Sequence, residues 1–322
     1  MRACILEDVS KFVVKDIEMP EPVEDDDILM KVEKVGICGS DISMWKNKNK
    51  IGLIMGHEFC GTVVDPRKSE YKVGDRLVVI PKGPRGYSST PGIVAPGAFA
   101  EYFNASSKYV RRLPDTISDN AANMIEPTGI AYNALKKSKM EYGDKVLVTG
   151  AGIIGLLAAE WARVMGASYI AMTDVSNKRI GKAKELSAAD DVFDAKDEDL
   201  VNILNEASKG GFDVVIECTA AEKSVNMCLD VIKDFGTYVF VGVSYKPLSI
   251  NTLKFVMKNI TMIGTFGSST VFDKVIELLD RKPFDLEKYI TKEIGLDEIQ
   301  EAFEELNSGN SDQIKIVVTP FN

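Results

Sequence analysis

Hydrophobic and polar residues alternate in short runs over roughly the first 120 residues of the chain. Four of these runs are rich in valine, isoleucine and other apolar residues and are typical of β-strands: 11–17, 28–35, 61–64 and 76–80. Turn residues separate them, and the segment 81–97 is rich in proline and glycine, which predicts a loop. The N-terminal part therefore predicts a strand-rich domain.

The pattern changes beyond this part, where short apolar runs alternate with segments of helical period. A helix is predicted over 121–137. Apolar runs predict buried strands over 145–149, 169–173, 192–193, 214–217 and 238–242, with helices between them. This alternation implies a parallel, doubly wound sheet with right-handed crossovers. The tail predicts two amphipathic helices, 271–281 and 296–307, and a last strand, 314–319.

A glycine-rich turn follows the first of these buried strands and opens the next predicted helix. Gly150 allows the tight turn, Gly152 lets the backbone approach a pyrophosphate, and Gly155 permits close packing of the helix. The helix begins with Ile153 and Ile154, whose backbone N–H groups are free to bind phosphate oxygens. The turn therefore predicts a dinucleotide site.

The second buried strand ends in Asp174, a position suited to binding the adenosine ribose. Its carboxylate would accept hydrogen bonds from the ribose hydroxyls and repel a 2′-phosphate, which favours NAD over NADP. Arg179 lies nearby and could stack on the adenine or tolerate a phosphate, so NADP stays open. The alternative interpretation is an ordinary glycine turn, with Asp174 as a capping residue.

Composition and charge exclude several classes of protein. A net charge of −9 gives no general attraction to nucleic acid. The start of the chain does not resemble a signal peptide, and no apolar run reaches the roughly 18 residues of a membrane span. The five cysteines are dispersed and predict reduced thiols. We expect a cytoplasmic protein with no nucleic-acid or membrane partner.

One thiol, one imidazole and one carboxylate fall at turns near predicted strand ends. Cys38 precedes His57, the single histidine of the chain, and Glu58 follows it directly. These are ligand types of a catalytic zinc site that leaves one position open. Taken alone the spacing is loose, and a lone histidine is equally compatible with a structural role.

Five ordered motifs carry a family resemblance. They are Gly-x-Cys-Gly-Ser-Asp at 36–41, Gly-His-Glu-x-x-Gly at 56–61, Val-Gly-Asp-Arg at 73–76, Gly-Ala-Phe-Ala-Glu-Tyr at 97–102 and the glycine turn at 150–155. Together they resemble the medium-chain dehydrogenase/reductase family, in its zinc-containing alcohol dehydrogenase branch. The resemblance implies an α/β protein, with a GroES-like catalytic domain over 1–125 and 266–322 and a Rossmann domain over 126–265.

The resemblance also implies roles for the candidate ligands. Cys38 and His57 would bind zinc, and Asp41 would orient the imidazole from behind. Glu58 would be a third, exchangeable ligand or a carboxylate just behind the metal. Glu126 stands where ethanol-type members have a third cysteine, and a glutamate before proline is similar to sorbitol and other polyol dehydrogenases. Glu126 is thus a second candidate for the third ligand, or a carboxylate that favours a helix N-terminus.

The chain departs from the family pattern in two places. The stretch 84–96 has no cysteine where relatives carry a structural zinc, so we expect one catalytic zinc and no structural zinc. In relatives the lobe formed by this stretch often helps assembly. Because it is shortened here, the homo-oligomer that the resemblance implies, a dimer or tetramer, is a weaker expectation. Ser43 replaces a proton-relaying histidine; either a water chain through Ser40 and Ser43 carries the substrate's proton, or Glu58 or Glu126 takes it.

The predicted function is the reversible, zinc-dependent oxidation of a secondary alcohol to a ketone with NAD. A polyol, sugar alcohol or sugar acid is the expected substrate, and diols and amino alcohols such as threonine also fit. Met44 and Trp45 are either substrate contacts or plugs of the loop against the core. The competing interpretations are a zinc-free quinone or enone reductase of the same superfamily, and a non-catalytic NAD-binding sensor.

Overall fold

A computed structural model describes residues 1–82, 89–244 and 246–322. Its strands are β1 (Arg2–Asp8), β2 (Lys11–Asp16), β3 (Ile28–Gly36), β4 (Glu58–Asp65), β5 (Arg76–Val79), β6 (Tyr102–Ala105), β7 (Val110–Arg112), β8 (Lys145–Thr149), β9 (Tyr169–Asp174), β10 (Asp191–Asp194), β11 (Phe212–Glu217), β12 (Ile232–Phe240), β13 (Thr261–Gly264), β14 (Ile290–Ile294) and β15 (Lys315–Val318). Its α-helices are α1 (Gly39–Trp45), α2 (Asp119–Ala122), α3 (Ile125–Ser138), α4 (Ile153–Val164), α5 (Asn177–Glu185), α6 (Leu200–Ala207), α7 (Glu222–Val231), α8 (Thr252–Met257), α9 (Phe272–Asp280) and α10 (Ile299–Asn307).

One compact unit consists of Met1–Glu126 and Phe272–Asn322. Its larger sheet has the strand order β14-β15-β3-β4-β5-β7, and β6 also pairs with β3. Strand β3 pairs antiparallel with β4, placing Gly36 opposite Glu58, and also antiparallel with β15. The C-terminal tail therefore brings a strand alongside the ends of β3 and β4, where the candidate ligands lie.

The other unit, Pro127–Val271, contains a parallel sheet with the order β10-β9-β8-β11-β12-β13. Strands β8 and β11 lie at its centre, and their apolar residues are buried, as expected for a sheet covered by helices on both faces. The predicted α/β architecture with a doubly wound parallel sheet is confirmed. The domain boundaries predicted from sequence, at 125/126 and 265/266, stay predictions.

The core of the strand-rich unit contains Met44 and Trp45. Both side chains are buried, and the Trp45 ring lies 5.8 Å from that of Phe303 in an edge-on arrangement. Phe303 also contacts Phe12, with ring centroids 4.8 Å apart. Met44 and Trp45 therefore hold α1 against this core. Of the two alternatives that the sequence left open for them, this packing is the plug of the loop against the core.

The helix predicted over 121–137 is divided into α2 and α3. Asn123 and Met124 separate the two, and Pro127 stands in the first turn of α3. Proline is accepted there because the first turn of a helix needs no backbone donor, whereas deeper in one long helix it would remove a hydrogen bond. No described helix is long and apolar enough to cross a membrane.

Candidate active site

Cys38 lies between the end of β3 and the start of α1, where it caps the helix. Its backbone N–H donates to Oδ2 of Asp41 at 2.9 Å, and its carbonyl accepts from the Asp41 N–H at 3.0 Å. Ser40 Oγ donates to Cys38 Sγ at 3.2 Å. This reciprocal capping fixes the sulfur at the end of the sheet, next to a hydroxyl.

His57 and Glu58 come from the turn that begins β4. Gly56 has a φ of 89°, a conformation that favours glycine, and it turns the chain into the strand. Ligand atoms of Cys38, His57 and Glu58 all lie within 4.8 Å of one another. Asp41 Oδ1 lies 3.3 Å from His57 Nδ1 and orients the ring.

These three side chains fit a zinc ion. Thiolate, imidazole and carboxylate are all zinc ligands, and three protein ligands leave a position for substrate. Glu58 is 1% exposed, and its Oε1 has no hydrogen-bond partner among the described residues. A buried acceptor without a partner calls for an explanation, and a metal ion would provide one.

Electrostatics link the three groups. Burial raises the pKa of the Cys38 thiol, and the neighbouring Glu58 carboxylate raises it further. Burial lowers the pKa of His57, but the charges of Asp41 and Cys38 outweigh this and raise it above its ordinary value. Binding of a metal here therefore releases protons, as expected for a zinc site.

Lys315 is a residue that sequence reasoning missed. It lies on β15, and its fully buried ammonium group is ion-paired with Glu58 Oε2 and donates to the Ile37 carbonyl at 3.1 Å. Glu58 raises the pKa of Lys315 against the lowering effect of burial. The available signal was a lysine inside the apolar run 314–318, a placement that predicts a buried ion pair.

Glu126 is not a member of the three-residue cluster. It is 8% exposed in the first turn of α3, and it is not among the side chains whose ligand atoms lie within 4.8 Å of one another. Ser43 is exposed on α1. The structure thus brings together Cys38, His57 and Glu58, while a metal-binding role for Glu126 stays a prediction.

The predicted phosphate-binding turn joins β8 to α4. Gly150 has a φ of 90°, and Gly152 directly precedes α4, which begins with the half-buried Ile153 and Ile154. A Cβ on Gly155 would lie 1.9 Å from the Gly150 carbonyl oxygen, so only glycine lets the helix pack this closely. The helix N-terminus therefore presents its N–H groups at the carboxyl edge of the sheet.

Asp174 ends β9 beside this turn. Its Oδ2 accepts from the Ala151 N–H at 2.8 Å, and its Oδ1 accepts from the Ser176 N–H at 2.8 Å. The carboxylate thus anchors the glycine turn, while its remaining lone pairs stay available to a ribose. Arg179 is exposed on α5, where its backbone N–H donates to Ser176 Oγ.

Glu217 is a second residue that sequence reasoning missed. Its fully buried carboxylate, at the end of β11, accepts from Thr149 Oγ1 at 3.2 Å and from the backbone N–H groups of Thr219 and Ala220, each at 2.9 Å. Ala220 has a φ of 52°, a strained conformation that these bonds help to hold. Glu217 therefore ties together the strand ends at which the predicted dinucleotide turn lies.

Comparison with known proteins agrees with this geometry. Residues 24–115 match the alcohol dehydrogenase GroES-like domain, and residues 154–281 match the zinc-binding dehydrogenase family. Sorbitol dehydrogenase of Rattus norvegicus is 30% identical over 91% of this chain and 89% of that protein. (R,R)-butanediol dehydrogenase of Bacillus subtilis is 32% identical over 95% of this chain and 96% of that protein.

A solved structure extends the agreement to the whole fold. The 2R,3R-butanediol dehydrogenase of Bacillus subtilis superimposes with a TM-score of 0.89 at 30% identity, covering 99% of each chain. The GroES-like and Rossmann parts of the predicted fold are confirmed. The chain belongs to the zinc-containing alcohol dehydrogenases of the medium-chain dehydrogenase/reductase family, oxidoreductases that act on CH–OH groups.

Proposed function

We propose that this zinc-dependent NAD(P) dehydrogenase oxidises a polyol, sugar alcohol or sugar acid at a secondary alcohol, reversibly and with NAD. The observation that carries the proposal is the cluster of half-buried Cys38 with buried His57 and Glu58, in which a carboxylate accompanies one thiol and one imidazole. Relatives named for sorbitol and for butanediol, at 30% and 32% identity, support a substrate with neighbouring hydroxyl groups.

One catalytic zinc ion would be held by Cys38, His57 and Glu58. When bound, zinc acts as a Lewis acid and favours loss of a proton from a substrate hydroxyl. Ser40, whose exposed hydroxyl lies 3.2 Å from the Cys38 sulfur, relays that proton: it accepts the substrate's proton as it gives its own hydroxyl proton to water. From Ser40 the proton leaves through water near Ser43. The stretch 84–96, whose lack of cysteine argues against a structural zinc, lies partly outside the described residues.

The glycine turn and Asp174 bind the coenzyme. The start of α4 faces the pyrophosphate, and the carboxylate of Asp174 accepts from the ribose hydroxyls while repelling a 2′-phosphate. NAD is therefore the proposed coenzyme. We further propose a homo-oligomer, a dimer or tetramer, working in the cytoplasm.

A panel of polyols, sugar acids, diols and threonine tests the substrate class. NADH formation is measured with NAD and NADP in parallel, before and after chelator treatment and zinc addition. The proposal predicts NAD-linked turnover of one polyol or sugar-acid class, lost with chelator and restored by zinc. Turnover that resists the chelator, or that occurs only on enones with NADPH, would contradict it. Silence across the panel with zinc bound would mean either that the natural substrate lies outside the panel or that the protein is a non-catalytic sensor.

A further inference from the structure

Lys315 carries a positive charge into an otherwise apolar strand. Its three successors on β15, Ile316, Val317 and Val318, are all buried, and the side chain of Lys315 is itself 0% exposed. A buried lysine persists only where a partner compensates for the lost hydration. Here that partner is Glu58, a side chain of the candidate metal cluster.

The two oxygens of Glu58 have different surroundings. Oε2 is bound to the Lys315 ammonium group, which also donates to the Ile37 carbonyl at 3.1 Å. Oε1 is buried and has no hydrogen-bond partner among the residues that the structure describes. One oxygen is therefore occupied by the lysine, and one remains available to a metal ion.

The backbone of β3 leaves room for this ion pair. A Cβ on Gly36 would lie 2.5 Å from Lys315 Cε and 2.7 Å from Glu58 Oε2. Any side chain at Gly36 would displace the two charged groups. The pair thus occupies a niche formed by three strands, because Gly36 ends β3, Glu58 begins β4 and Lys315 begins β15.

We propose, on the basis of the zinc site of the proposed function, that Lys315 is a positioning residue for Glu58. It holds one oxygen, so that Glu58 offers zinc a single oxygen, and it offsets part of the negative charge of the ligand set. Lys315 and zinc then share one carboxylate. The lysine weakens zinc binding and keeps the metal a stronger Lewis acid.

Zinc affinity tests this role without reference to turnover. Competition with a chromophoric chelator compares the wild type with Lys315→Met, which removes the charge but keeps an unbranched chain. We expect zinc to bind about tenfold more tightly or more in the variant, because the full charge of Glu58 becomes available. Lys292→Met is the matched control, because it also removes a lysine, here from the partly exposed ion pair that Lys292 on β14 forms with Glu305. The zinc affinity of this variant should equal that of the wild type.

A second substitution shows whether the effect passes through Glu58. In a Glu58→Gln background, adding Lys315→Met should tighten zinc binding much less than it does in the wild-type background, because no shared carboxylate remains. Lys315→Arg should keep an affinity close to that of the wild type. If Lys315→Met does not fold, Lys315→Gln serves instead, with tightening of about threefold expected.

The outcomes separate this inference from the proposed function. A wild-type protein that binds no zinc would defeat the proposed function itself. If the wild type binds zinc and Lys315→Met binds it with equal or lower affinity, the positioning role is wrong and Lys315 is only structural. A tightening by Lys315→Met that is as large in the Glu58→Gln background as in the wild type would also overturn it.

Discussion

Glu58, Asp174 and Glu217 are buried carboxylates, and each is bound by groups that its own strand cannot supply. Lys315 holds Glu58, the Ala151 N–H holds Asp174, and Thr149 holds Glu217. A buried carboxylate is costly to keep unless such partners are in place. In each case, groups from other parts of the chain compensate for a buried charge. Glu58 lies at the candidate metal site, and Asp174 and Glu217 lie at the predicted coenzyme turn.

The coenzyme preference can be tested at Asp174. In Asp174→Asn the negative charge is lost. The ratio of kcat/KM with NADP to kcat/KM with NAD should therefore be about tenfold higher or more in the variant than in the wild type. Steady-state kinetics with both coenzymes measure the change. Asp194→Asn is the control, because Asp194 pairs with Asp174 in register on β10. An unchanged ratio in Asp174→Asn would show that this carboxylate does not select the coenzyme.

The elements predicted most accurately are those whose signal is local. Strand β8 coincides with the predicted run 145–149, and the glycine turn after it lies where its spacing indicates. Strand β14 was missed because its sequence, Ile-Thr-Lys-Glu-Ile, mixes polar and apolar residues at the surface. Lys315 was missed because its partner Glu58 is 257 residues away, a pairing that only the folded sheet reveals.

Substitutions at two glycines of the predicted coenzyme turn should affect folding stability and coenzyme binding separately. Gly155→Ala brings a methyl group to 1.9 Å from the Gly150 carbonyl, so we expect a loss of about 3 kcal/mol in the free energy of unfolding. Gly152→Ala meets no atom within 4 Å and should lose no more than about 1 kcal/mol. Its NADH affinity should nevertheless fall, because the methyl group would face the pyrophosphate.

Chemical denaturation and NADH fluorescence titration measure these two effects. Gly181→Ala on α5, which also has free space around its Cβ, is the control: NADH affinity should not change, and the free energy of unfolding should rise by no more than about 1 kcal/mol, because alanine favours a helix interior over glycine. Equal stability of Gly155→Ala and the wild type would contradict the packing argument. Full NADH affinity in Gly152→Ala would place the pyrophosphate elsewhere.

On the scale of the whole molecule, the chain leaves the strand-rich unit after Glu126 and returns to it at Phe272. The returning tail completes the larger sheet with β14 and β15 and supplies the lysine that holds Glu58. The motifs predict the family and the ligands, but they do not show that the last strand reaches the site. The second unit keeps an edge strand, β13, and large apolar side chains are exposed on α8, the helix that precedes β13 in the chain.

Assembly can be tested at the exposed face of α8. Leu253, Val256 and Met257 are 68%, 66% and 72% exposed, and burying them against a second copy would remove this apolar surface from water. Sedimentation equilibrium should give a dimer or tetramer for the wild type and a lower mass for Leu253→Glu combined with Met257→Lys. Val23→Lys, at an exposed valine of the other unit, should keep the wild-type mass. A monomeric wild type would refute the predicted homo-oligomer.

The zinc content of purified protein tests the central claim most directly. Elemental mass spectrometry of the wild type and of His57→Asn, prepared side by side and dialysed against metal-free buffer, measures zinc per chain. The Cys38–His57–Glu58 site predicts about one zinc ion in the wild type and little or none in the variant. Zinc retained in full by His57→Asn, or absent from an active wild type, would contradict the account.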